Sequence, residues 1–180
     1  MIENIIKEIR TALNNELYII ALMGTLTLPD ACGKAEFPKE KSNSNRYKKW
    51  IEKYVNSRGF GEYEYSAMQG VDADIIYKLR CNLLHQVTPN IENCVKDVEY
   101  FELVKVNIKR GQQYQYCVEE IYNKDNIRSR KISINIVSLC NLICDSAENY
   151  YRNNRTKFEF IKYNFVDVDY HTKSLFSVNL

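Results

Sequence analysis

Apolar residues recur at helical spacing over most of the chain and alternate at period two near its middle and its end, which predicts a mainly α (α+β) protein. Ile2, Ile6, Ile9, Leu13, Leu17, Ile20 and Gly24 form one stripe, with Glu3, Lys7, Glu8 and Arg10 toward water. One long first helix is expected, ending between Gly24 and Leu28, because Pro29, Asp30 and Gly33 form turns. Residues 34–45 are a loop, and a second helix over 44–56 buries Tyr47, Trp50, Ile51, Tyr54 and Val55. A Gly- and Tyr-rich connector over 57–68 leads into a strongly patterned helix at 71–86, where Ile75, Ile76, Leu79 and Leu83 share a face. Asp72 and Asp74 suit the positive end of its dipole. Pro89 stops the pattern and leaves His85 in the last turn, where its ring can reach out of the bundle.

Beyond Pro89 the period changes. Residues 100–108 and 113–121 alternate around Lys109, Arg110 and Gly111, which predicts a hairpin. A helix returns over 133–151, with Ile136, Leu139, Cys140, Ile143 and Ala147 on its apolar side. Residues 158–170 predict a strand beside the hairpin, followed by another at 174–178. The expected architecture is a single domain over 1–180: a helical bundle (core 1–155) with an inserted β-hairpin and a C-terminal β extension (156–180).

The chain is long enough to bury a core without metal or disulfide staples. A formal charge of +2 is too small to argue for nucleic acid by itself, so any such site must come from local clustering. Arg46, Lys48, Lys49 and Lys53, preceded by Lys39 and Lys41, are the strongest basic cluster and carry aromatics between them. They suit a phosphate backbone such as that of RNA, and equally suit a solvated helix face. The six cysteines include no CxxC pair, and residues 1–10 are charged and amphipathic in place of a leader. Reduced thiols in a cytoplasmic protein are expected, with Cys140 and Cys144 in the core instead of on a metal. No stretch is long and apolar enough for a membrane span.

Phosphate loops, GxGxxG, GxSxG and HExxH are all missing. Asp167 and Asp169 alternate on one expected strand and fit its wet face, and His171 fits the surface. Arg80 and His85 remain. They lie about 140° apart around the helix axis and roughly 7.5 Å apart along it. A joint site therefore requires the long arginine to bend around, or a second helix to complete it, which points to a composite site between two copies of this helix.

The LRCNLLHQ segment carrying Arg80 and His85 resembles the HEPN superfamily (higher eukaryotes and prokaryotes nucleotide-binding domains), whose ribonuclease members bear Arg-x4-6-His on a late helix. The resemblance extends over residues 1–155, in the long first helix, basic second helix, hairpin insert and final helix; residues 158–180 have no counterpart. It implies a metal-independent endoribonuclease without a cofactor, working as a homodimer, in the role of a toxin or phage-defence effector. It also implies an antitoxin or nucleotidyltransferase as partner. His85 would exchange protons with the RNA 2′-hydroxyl or the leaving 5′-oxygen, Arg80 would hold the scissile phosphate, and Asn82 would orient either group. Two positions depart from the pattern. Cys81 stands where a polar helper often follows the arginine, with Asn82 one step later, and Val87 stands where some toxins carry a modified tyrosine. The alternatives are a non-catalytic HEPN-like module that binds RNA, a nucleotide or a protein, and a structural scaffold in which Arg80 and His85 only cap their helix.

Overall fold

The computed structural model describes residues 1–56, 71–105, 116–122 and 128–162. These residues are mainly helical, with a small three-stranded sheet among them. The expected first helix is two. α1 (Ile2–Asn14) buries Ile2, Ile6, Ile9 and Ala12; α2 (Tyr18–Glu36) follows after Glu16 takes a left-handed φ of 60°. The apolar stripe runs unbroken across that turn because both helices press on one core, so periodicity alone does not show the break. Nor does α2 stop at Pro29. The proline removes one backbone bond at a cost of about 3 kcal/mol, yet the helix runs on, because Leu28, Pro29, Cys32, Gly33 and Ala35 are all buried.

α3 (Asn43–Ile51) begins at Ser42, whose hydroxyl accepts from Asn45 N at 3.2 Å, and buries Tyr47, Trp50 and Ile51. It winds on into a π-helical turn, Glu52–Asn56, that buries Val55. α2 and α3 cross closely at Gly33, where an added Cβ would lie 2.8 Å from the carbonyl oxygen of Arg46. α4 (Ala73–Gln86) matches its expected span, with the Asp72 carboxylate capping Ile75 N at 2.9 Å.

The sheet corrects the expected hairpin. β1 (Val98–Val104) and β2 (Tyr116–Tyr122) do not pair with each other; β3 (Arg128–Asn135) lies between them in the order β1-β3-β2. β3 runs parallel to β1, with Phe101 opposite Ile132, and antiparallel to β2, with Val118 opposite Ile132. Residues 128–135 supply a strand that the helical pattern of the following segment conceals. α5 (Ile136–Asn153) accordingly starts later than expected, at the Asn135 cap, whose side-chain oxygen accepts from Val137 N at 3.1 Å. Phe158 belongs to a 3-10 turn (Arg155–Phe158), not to a strand. The 57–68 connector, the turn at 109–111, and most of the C-terminal strands, with Asp167, Asp169 and His171, lie outside the described residues.

Cys32, Cys140 and Cys144 are buried free thiols, and burial pushes all three upward, Cys144 to about 11. Among the described residues no helix is long and apolar enough to cross a membrane. No group of three or more His, Cys, Asp or Glu is placed to hold a metal there either.

Glu36, at the end of α2, gathers α5, the π-helical turn after α3 and the 3-10 turn after α5. Its Oε1 accepts from Lys53 at 2.5 Å and from the Tyr54 hydroxyl at 2.8 Å; its Oε2 accepts from Tyr150 at 3.0 Å and Lys157 at 2.8 Å. Burial alone would raise this carboxyl, but the four donors outweigh it and hold it down at about 2. A carboxyl held below its unfolded value stabilises the fold fully above pH 4.5 and loses that contribution as pH falls toward 2. Thermal melts at about pH 5 and about pH 3 should therefore show a smaller loss of Tm for Glu36→Gln than for the wild type. An equal loss would place the acid sensitivity elsewhere.

Candidate functional site

The site begins with the way α4 is anchored. Leu79 and Leu83 are fully buried, so the neighbouring Arg80 leaves the helix at the rim of the core with a side chain 16% exposed. A guanidinium so placed needs an acceptor, and α2 supplies it. Arg80 Nε and Nη2 both donate to Asp30 Oδ2, at 3.1 and 3.0 Å. Burial would lower the arginine's pKa, but the Asp30 charge and its hydrogen bonds outweigh this and the net shift is upward. The group stays cationic.

The remaining Arg80 nitrogen, Nη1, lies 3.1 Å from His85 Nε2. The long arginine has bent around the helix, so the two groups meet within one chain without a second helix. A guanidinium has donors only. In the neutral ring this contact makes Nε2 the acceptor and assigns the proton to Nδ1. His85 itself is exposed at the end of α4. The structure thus joins two of the three residues expected to act together.

Asn82 is the third, and it faces another way. Its side chain is nearly buried, and Nδ2 donates to Asn90 O at 2.6 Å and to Cys94 Sγ at 3.4 Å. It braces the segment after the helix. Asp30 is the residue that sequence reasoning missed, because Pro29-Asp30 reads as a turn. One signal was present: Asp30 is the only charged residue between Tyr18 and Gly33, and a lone charge in an apolar run needs a partner.

Lys48, Lys49 and Lys53 of the basic cluster are matched to nearby carboxylates, and Arg46 to neutral acceptors. Lys48 pairs with Asp74 and lies 5.4 Å from the centre of the Tyr77 ring. Lys49 pairs with Glu40 at 2.8 Å, and Lys53 with Glu36. Arg46 donates to Glu40 O at 2.9 Å and to Asn43 Oδ1 at 3.0 Å. Asn43 donates in turn to Asp30 Oδ1 at 3.1 Å. A separate groove of 510 Å³ along α1, lined by Asn4, Lys7, Thr11 and Leu17 among others, includes none of these residues.

Compared with protein-family models, curated proteins and solved structures, the chain matches none.

The end of α4 is held under backbone strain. Val87, two residues after the histidine, is 75% exposed and adopts a left-handed φ of 57°, while its N–H bonds to Asn82 O. A β-branched residue is poorly suited to that conformation, and its exposed side chain gains little from packing. Val87→Gly should therefore stabilise the fold by about 1 kcal/mol, read as a higher urea midpoint. A lower midpoint would show that the valine's side chain is needed.

Proposed function

We propose that this chain is a metal-independent endoribonuclease of the HEPN type, with Arg80 and His85 as its catalytic pair. The observation that supports the reading most is the Arg80–His85 contact at the open end of α4. The imidazole presents an unprotonated Nε2 whose present donor, Arg80 Nη1, is a group that prefers a phosphate oxygen. An RNA phosphate arriving at the pair takes over Nη1 and frees the Nε2 lone pair beside the ribose. Nε2 then removes the 2′-hydroxyl proton as that oxygen attacks phosphorus, and the bond to the 5′-oxygen breaks. An imidazolium returns a proton to the departing oxygen, leaving a 2′,3′-cyclic phosphate and a 5′-hydroxyl. Arg80 offsets the charge that builds on the equatorial oxygens. DNA lacks the 2′-hydroxyl and is not cut.

The same proposal makes the active form a homodimer, in which a second imidazole serves as the acid, and places it in the cytoplasm as a toxin or phage-defence effector restrained by a partner protein. An antitoxin would cover the open end of α4. A nucleotidyltransferase would need a target other than Val87. Arg46, Lys48, Lys49 and Lys53 would contact RNA by exchanging their present acceptors for phosphates.

A second reading, a non-catalytic HEPN-like module that binds RNA, a nucleotide or a protein, is favoured by one observation. Two of the Arg80 nitrogens that can reach a phosphate are already committed to Asp30. Cleavage separates the two readings. With single-stranded RNA in EDTA, the wild type should cut, and His85→Ala should be slower by about 100-fold or more. Cutting that persists at the wild-type rate in His85→Ala removes His85 from the mechanism, and binding without cutting selects the second reading.

A further inference from the structure

Asp30 takes no part in the cleavage step above, yet its contacts decide where the guanidinium points. The Arg80 and His85 side chains leave α4 about 140° apart around its axis, and an arginine free in water has many rotamers to choose from. A neutral imidazole competes poorly with water for that guanidinium. The carboxylate of Asp30 does not. By accepting both Nε and Nη2 on one oxygen, at 3.1 and 3.0 Å, it fixes the plane of the guanidinium and leaves Nη1 turned toward His85 Nε2.

Asp30 is held in turn. Its second oxygen accepts from Asn43 Nδ2 at 3.1 Å, and Asn43 Oδ1 accepts from Arg46 Nη2 at 3.0 Å. One unbroken run of hydrogen bonds therefore crosses from α3 through α2 to the end of α4. From this we infer that Asp30, with Asn43 behind it, is a positioning residue for the Arg80–His85 pair. Its catalytic consequence rests on the ribonuclease reading; its structural consequence rests on the hydrogen bonds alone. An acceptor without donors is required at position 30. An asparagine of the same shape would offer one oxygen and turn an NH₂ group toward either Asn43 or the guanidinium, both of which bring donors of their own.

The test uses the full chain, labelled with ¹⁵N, in the wild type, Asp30→Asn and Asp145→Asn. The chain has two histidines, and the signals lost in His85→Ala identify His85. The wild type should show the Nδ1–H tautomer for His85. Asp30→Asn should move the ring toward Nε2–H and lower kcat on single-stranded RNA by about 100-fold with KM little changed. Asp145→Asn, which loses an exposed ion pair with Arg10 between α5 and α1, should do neither. In an active enzyme both changes are required, and either alone overturns the inference. If the wild type cuts no RNA, the ribonuclease reading fails, while the nitrogen shifts still decide whether Asp30 holds Arg80 on His85. Should Asp30→Asn not fold, Asn43→Ala takes its place. It should shift the same nitrogens in the same direction, and unchanged shifts there overturn the inference.

Discussion

A helix with apolar residues on nearly every side can carry a carboxylate only where a neighbouring element brings donors or positive charge to meet it. α2 is such a helix. It touches α1, α3, α4 and α5, and its two carboxylates, Asp30 and Glu36, fix how those neighbours sit. Glu36 draws in two lysines and two tyrosine hydroxyls, which ties the π-helical turn, α5 and the 3-10 turn to one end of the bundle. Asp30 draws in Arg80 of α4 and Asn43 of α3. Unmatched, either charge would oppose burial of the helix. Matched, each becomes a directional clamp on elements that apolar packing alone would leave free to slide.

The Asp30 clamp links fold to chemistry. Because the guanidinium is held on one side, its free nitrogen is presented on the other, toward an imidazole that packing does not constrain. The same matching of charge extends to Lys48, Lys49 and Lys53, which stand beside carboxylates of α4, the 37–42 segment and α2. Such a surface exerts little long-range pull on a polyanion. RNA would be recognised by short-range exchange of partners and not by a field that steers it from a distance.

What the sequence made legible follows from how local each cause is. α4 could be read closely, because its apolar face, its Asp72 cap and Pro89 lie within one short stretch. The start of α3, expected at residue 44, falls close to the Ser42 cap because that signal is similarly local. The division between α1 and α2 was hidden by an apolar stripe that continues across Glu16, and Pro29 suggested a stop that burial overrides. The sheet order was hidden for another reason. β1 and β2 lie within stretches that read as strands, but the strand that pairs with both, β3, runs directly into α5, so Ile132, Ile134 and Ile136 fit either period. In the site, Arg80 and His85 were legible because they share a helix. Asp30 was not, since it lies 50 residues from Arg80 and meets it only after folding.

The central claim is that the Asp30 carboxylate and the Arg80 guanidinium hold each other, and it is tested most directly by a double-mutant cycle in urea on wild type, Asp30→Asn, Arg80→Gln and the double variant. The account predicts a coupling of about 1 kcal/mol or more, with the double variant less destabilised than the two single losses added together. Strict additivity, within about 0.3 kcal/mol, would mean that the two side chains do not depend on each other, and would contradict the account.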